Sequence, residues 1–499
     1  MYEQAFHRAG GVLLHPTSLP GPHGIGDIGP AAHRWLDVLK QSGSSLWQFL
    51  PLGPTGYADS PYQCLSAFAG NPLLISTEIL HRQDLLDEED IEPSPYFDPS
   101  YTDYGRVIEV KTPVLEKAAN RFLASPAVSL EDYQWFCEEN ELWLDDFALF
   151  TVLKTEHNLA PWHTWERDLA MRDPEAIASA RKELTDVLEV QKVIQYFFFS
   201  QWVDLRKRAE EMGITLIGDL PIFVAHDSAE VWAQPEMFHL QEDGQPSFVA
   251  GVPPDYFSPT GQRWGNPLYR WDRMRANGYQ WWTQRLSAVL DLAHVVRLDH
   301  FRGFQAYWEI PAGQETAVKG RWVEGPGADL LGTLQERLGA LPIIAEDLGL
   351  ITPEVTALRD QFDLPGMKVL QFAFDGDETH PFLPHNYPEH CVAYTGTHDN
   401  DTVRGWYQTA PEHERDFARR YLSVNGEDIA WDMIRAVWRS RAVWAVAPLQ
   451  DFLSLHSGAR MNYPGRMEGN WTWRVRPDQI TEDLLSRIFA LNRDTGRIE

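Results

Sequence analysis

Eight short apolar runs, rich in β-branched residues and mostly separated by stretches of helical periodicity, constrain this chain more than any other feature. They are Val12-Leu13-Leu14, Leu46 to Leu50, Ile214 to Asp219, Ala293 to Leu298, Leu341 to Ala345, Val369 to Phe374, Cys391 to Thr395 and Val443 to Val446. Runs this short and this continuously apolar suit strands buried on both faces, the condition of a parallel sheet covered by helices. Helical stripes lie among them, as at Trp35, Leu36 and Leu39, at Leu330, Leu331, Leu334 and Leu338 before Gly339, and from Val193 to Met212 before Gly213. Eight strand–helix units predict the α/β class and a (β/α)8 TIM barrel, since a doubly wound sheet ordinarily uses fewer strands. The stretch at about 80–200, between the second and third strands, is too long for a loop and holds helical segments such as Asp132 to Leu153. An inserted, mainly helical subdomain is expected there, with a second loop-and-helix insertion at about 225–290, all within one catalytic domain spanning 1–499.

Besides the run that closes on Asp219, three runs lead into acid-bearing motifs. Val296-Arg297-Leu298-Asp299-His300, Ile344-Ala345-Glu346-Asp347 and Gly396-Thr397-His398-Asp399-Asn400-Asp401 each place a carboxylate where an α/β barrel builds its active site. Side chains alternate along a strand, so Arg297 and Asp299 face the same way, and the guanidinium keeps Asp299 ionised as a nucleophile. Glu346 has no basic neighbour in sequence, and a poorly solvated glutamate suits acid/base work; Asp347 should face the opposite side. His398 and Asp399 are placed to bind sugar hydroxyls and to stabilise positive charge at a ring oxygen. A single acid at a strand end is ordinarily a helix cap or a surface residue. Three in series, the first beside an arginine, point to a site of the retaining glycosyl-transfer kind, which needs its two carboxyl groups about 5 to 5.5 Å apart.

With 43 Lys+Arg against 72 Asp+Glu the formal charge is -29, which repels phosphate backbones and anionic lipid. Neither nucleic acid nor a membrane is an expected partner, and no apolar stretch approaches the roughly 18 residues of a membrane span. Cys64, Cys137 and Cys391 are few and widely spaced, which fits free thiols in a reducing compartment, and no leader-like segment opens the chain, so a cytoplasmic location is expected. Gly24-Ile25-Gly26-Asp27-Ile28-Gly29 spells the dinucleotide fingerprint, but Pro16, Pro20 and Pro22 separate it from the preceding strand and the acidic ribose ligand is missing. Metalloprotease, nucleophile-elbow, P-loop and paired C-x-x-C patterns are absent from the sequence, and no EF-hand-like run supports calcium. No cofactor is required by the chemistry. The 20 Trp, 17 Tyr and 24 Phe, many in Pro- and Gly-rich loops such as Gly56 to Gln63 and Gln262 to Pro267, favour a groove that stacks sugar rings.

The chain resembles the 4-α-glucanotransferases of the amylomaltase or disproportionating-enzyme type, glycoside hydrolase family 77. The matching segments are His15-Pro16-Thr17-Ser18-Leu19-Pro20, Asp59-Ser60-Pro61-Tyr62, Gly251-Val252-Pro253-Pro254-Asp255, Arg263-Trp264-Gly265-Asn266-Pro267, Arg297 to His300, Ala345-Glu346-Asp347-Leu348-Gly349 and Gly396 to Asp401. The resemblance implies Asp299 as nucleophile, Glu346 as general acid/base and Asp399 as transition-state stabiliser. It places Arg297, His300 and His398 around the donor sugar, and Tyr62, Asp219, Trp264 and Asn470 in contact with glucan. Ser60 and Asn266, within its motifs, are counted with the substrate-binding residues, and Tyr57 matches an aromatic of a secondary glucan site. It also implies a lid loop at about 251–258, and α-1,4-glucans, maltooligosaccharides and glucose as substrates. Two rival readings remain at this stage: hydrolysis of the same bond, and a non-catalytic glucan-binding protein, which would have no use for acids at strand ends.

Overall fold

The computed structural model describes residues 6–92, 97–124, 130–254 and 258–498. Among the described residues twelve strands follow one another. They are β1 (Ala9–Leu13), β2 (Leu46–Gln48), β3 (Thr215–Pro221), β4 (Phe248–Val252), β5 (Gln262–Pro267), β6 (Val295–Asp299), β7 (Ala306–Pro311), β8 (Arg321–Glu324), β9 (Ile343–Ala345), β10 (Gly366–Val369), β11 (Cys391–Tyr394) and β12 (Trp444–Pro448). Eight of them close into a barrel in the order β1-β12-β11-β10-β9-β6-β3-β2, every pair parallel. Closure leaves the barrel itself without an edge strand. The remaining four form an antiparallel sheet ordered β5-β4-β7-β8, built from the connections on either side of β6.

Each of the eight apolar runs falls at a barrel strand, with one displacement. The run Val369 to Phe374 was expected to be a strand, whereas β10 occupies Gly366–Val369 and Leu370–Ala373 winds into a 3₁₀ turn. Leu370 and Ala373 are apolar because the turn encloses them, not because it is extended; Phe372 between them is exposed, and the Gln371 amide donates to the Asp401 carbonyl at 2.8 Å. The connection from β10 to β11 carries two such 3₁₀ turns, Leu370–Ala373 and Pro384–Asn386, where an ideal barrel has a helix.

Helices cover the outside. Pro30–Gln41 follows β1, and Gln280–Leu292, Gly327–Leu338 and Pro353–Gln361 precede β6, β9 and β10. Gly339 ends the helix Gly327–Leu338 with a left-handed φ of 85°, as its position after the leucine stripe requires. Between β2 and β3 the chain runs through Tyr104–Ala124, Leu130–Glu139, Leu144–Glu156, Pro174–Glu183 and the long Thr185–Glu211. The single helix expected from Asp132 to Leu153 is broken at 140–143, because the Asn140 amide donates to the Phe136 carbonyl and accepts from the Trp143 indole. The glycine-rich segment at 24–29 is a packed turn: a Cβ on Gly26 would lie 2.0 Å from the Pro16 carbonyl oxygen. Close backbone packing explains that glycine without a nucleotide.

Candidate active site

Strand register builds the centre of the site. Asp219 on β3 stands opposite Arg297 on β6, and Leu298 opposite Ala345 on β9, so Asp299 and Glu346 emerge side by side at the same end of the barrel. Partners in a parallel register project to the same face, which brings Arg297 to Asp219, and alternation along β6 brings it to Asp299. The guanidinium donates from Nη1 to Asp219 Oδ2 at 2.6 Å and lies 2.8 Å from Asp299 Oδ1 through Nη2. The Tyr62 hydroxyl donates to the same Asp219 oxygen at 2.9 Å. Burial works against charge on both partners of the inner pair. It raises the Asp219 carboxyl, with Arg297 the chief opposing influence, and the two aspartates overcome it at Arg297, which stays charged.

Glu346 is buried, and its two oxygens accept from the backbone N–H groups of His300 at 2.8 Å and Leu348 at 2.9 Å. Burial pushes its carboxyl up to about 8, with the charge of Asp299 adding to the rise and Arg297 opposing it. Asp347 turns the other way, accepting from the Met367 N–H at 2.7 Å and from Arg359 Nη1. The two acids at the ends of β6 and β9 therefore differ in surroundings: Asp299 is gripped by a cation, Glu346 sits in a poorly solvated pocket.

Two neutral imidazoles flank them. Burial drops His300 to about 3, and its Nε2 is enclosed without a hydrogen-bond partner among the described residues. His300 takes a left-handed φ of 51° as the chain turns out of β6, and Trp264 meets its ring edge-on, centroids 4.8 Å apart. Burial also lowers His398, whose ring stacks on Tyr62 at 5.0 Å and 16° and whose Nε2 lies 3.4 Å from Asp399 Oδ2. Asp219 Oδ1 and Arg297 Nε are likewise buried and unpartnered. Buried polar atoms left unmet ordinarily await water or a ligand.

The other predicted residues divide. Asp399, about half exposed at its side chain (49 %), stands at the rim, where Asn462 Nδ2 donates to its Oδ1 at 2.6 Å. Asn266 is buried with its amide committed to the Val224 carbonyl at 2.8 Å and to Gln63, and Asn470 spends its amide on Tyr463 N–H and the Arg466 carbonyl, both at 2.8 Å. Both shape loops around the site. Ser60 Oγ accepts from Tyr62 N–H at 3.2 Å within its turn, and Tyr57 lies exposed on the rim with its hydroxyl against Met467. Of the lid at about 251–258, Asp255, Tyr256 and Phe257 lie outside the described residues. Trp471, which assumes a left-handed φ of 62° and packs its ring on both Tyr62 and His398, was missed; the aromatic-rich run Gly469-Asn470-Trp471-Thr472-Trp473 was the available signal. Among the described residues no group of three or more His, Cys, Asp or Glu side chains is placed to hold a metal ion, and no helix is long and apolar enough to cross a membrane.

An eight-stranded parallel barrel with carboxylates, a buried arginine and neutral histidines on its C-terminal rim has the architecture of a (β/α)8 enzyme. A family model described as 4-alpha-glucanotransferase matches residues 14–481, and the chain belongs to that family. The 4-alpha-glucanotransferase of Thermus thermophilus is 52% identical over 98% of this chain and 99% of its own length. That of Synechocystis sp. is 46% identical over 98% of each. Among solved structures, the amylomaltase of Streptococcus agalactiae in complex with acarbose superposes with a TM-score of 0.96 at 38% identity, covering 99% of this chain and 100% of that one.

Proposed function

We propose that Asp299, Glu346 and Asp399 perform the family's 4-α-glucanotransferase reaction by retaining double displacement. The activity moves an α-1,4-glucan segment from a maltooligosaccharide or starch-like donor to the 4-hydroxyl of glucose or another glucan. Glu346, protonated at neutral pH, gives its proton to the glycosidic oxygen while the Asp299 carboxylate attacks the anomeric carbon. The reducing-side fragment leaves and a covalent glucosyl-enzyme remains. Glu346, now ionised, takes the proton of the incoming 4-hydroxyl, and the sugar passes from Asp299 to that oxygen. Asp399 and the neutral His300 and His398 bind hydroxyls of the donor sugar, Arg297 orients the Asp299 carboxylate, and Tyr62 and Trp264 wall the pocket. The S. agalactiae amylomaltase with acarbose supports an α-glucan cleft. Free Cys64, Cys137 and Cys391 support a cytoplasmic location.

The contrast between a cation-gripped Asp299 and a desolvated Glu346 carries this reading, because it separates a nucleophile from a proton donor. Incubation with maltotriose tests it. Glucose with a ladder of longer maltooligosaccharides at constant reducing ends is expected; rising reducing ends without longer products would make the protein a hydrolase. Asp299→Asn should abolish turnover and keep glucan affinity, whereas a glucan-binding protein without catalysis would show no turnover to lose.

A further inference from the structure

We propose that Asn462, on the loop after β12, is the positioning residue that sets the orientation of the Asp399 carboxylate. Asp399 stands at a half-exposed rim position, where a short acid is free to rotate unless something holds it. Its own loop bonds backbone to side chain: Asn400 Oδ1 accepts from Thr397 N–H at 2.8 Å and Thr397 Oγ1 from Asp399 N–H at 3.3 Å. The donor to the carboxylate comes from a segment 63 residues away, where Asn462 Nδ2 donates to Oδ1 at 2.6 Å. That bond leaves Oδ2 on the side of His398 Nε2, 3.4 Å away, the side on which Tyr62 stacks.

Asn462 is itself fixed. Its N–H donates to the His398 carbonyl at 3.2 Å, and its own carbonyl accepts from Arg460 Nε at 2.5 Å. The same guanidinium donates through Nη2 to the Asp399 carbonyl and lies 4.6 Å from the centre of the Tyr463 ring. Arg460 and Asn462 thus clamp backbone and side chain of Asp399 at once. An amide suits this task better than a cation: it holds one carboxylate oxygen without neutralising the charge that must meet the developing positive sugar. Neither residue announces itself in sequence, since Arg460-Met461-Asn462 precedes no strand and ends no apolar run.

The inference rests on the transferase reading above, and the test separates the two. Asn462→Ala and the isosteric Asn462→Asp are compared with wild type on maltotriose for kcat, KM and pH profile, with near-UV circular dichroism reporting tertiary structure. Asn462→Ala should lose about tenfold or more in kcat with KM changed less than about threefold, because orientation matters most in the transition state. In Asn462→Asp two facing carboxylates must share a proton, so the acidic limb of kcat/KM should move to higher pH, which a purely structural role would not do. Asn462→Ala within about twofold of wild-type kcat, or an Asn462→Asp limb that stays in place, overturns the positioning role. A wild-type protein that leaves maltotriose unchanged overturns the transferase reading, and this proposal with it.

Discussion

The raised pKa of Glu346 makes a quantitative statement about the first chemical step. In the proposed mechanism that step needs Glu346 protonated. A glutamic acid at its ordinary 4.5 keeps roughly 1% of its protons at pH 6.5, while one pushed up to about 8 keeps about 97%. Burial therefore supplies nearly a hundredfold more of the competent form at that pH. The sign follows: the proton is present below about 8 and lost above it, so kcat/KM for maltotriose should be level on the neutral side and fall about tenfold per pH unit above about 8. The assay is the initial rate of glucose release at low maltotriose from pH 5 to 10. An α-maltosyl fluoride donor provides the control, because fluoride leaves without a proton and the alkaline limb for its release should flatten. Glu346→Gln should cost at least about 10² in kcat/KM on maltotriose and far less on the fluoride. An alkaline limb near 5 for maltotriose, or the same limb for both donors, would refute Glu346 as the proton donor held neutral by burial.

Other expectations follow from the same contacts. Arg297→Met leaves the enclosed Asp219 and its neighbour Asp299 without their cation; breaking such a buried pair should lower unfolding stability by about 3–5 kcal/mol in denaturant melts, with turnover lost. Tyr62→Phe removes one donor to Asp219 but keeps the ring stacked on His398, so about 1–2 kcal/mol of stability should go while the His398 geometry survives in a crystal structure of the variant. In Gly366→Ala the new Cβ would lie 2.5 Å from Asp347 Oδ2 and 2.9 Å from Arg359 Nη1. The crowded ion pair should cost about 1–3 kcal/mol and disturb Glu346 next door, read as a lower melting temperature together with lower kcat.

The barrel and its central acids were legible because they are written locally. A strand buried on both faces has to be continuously apolar, so β1, β2, β3, β6, β9, β11 and β12 show as runs, and the polar residue ending such a run stands at the mouth of the barrel. Asp299, Glu346 and Asp399 could be found in this way, and the Arg297–Asp299 pairing follows from alternation along one strand. Where burial came from a turn instead of a strand, at Leu370–Ala373, the same signal misled, because an apolar run records enclosure and not conformation.

What the tertiary structure alone decided is which distant segments meet. Asp219 joins Arg297 through the β3–β6 register across 78 residues, and Tyr62 reaches Asp219 across 157. Asn266 and Asn470, polar loop residues that a sequence reading assigns to glucan, hold loop segments through their amides, Asn266 on the Val224 carbonyl and the Gln63 side chain and Asn470 on backbone at Tyr463 and Arg466, while Trp471 and Asn462 arrive beside Tyr62, His398 and Asp399 from the loop after β12. Barrel closure sets these encounters by bringing β12 beside β1 and placing eight loops on one rim. Sequence determines the period and polarity of each element; the partner of a side chain depends on strand register and on loops converging from the whole length of the chain, and neither leaves a mark at the residue itself.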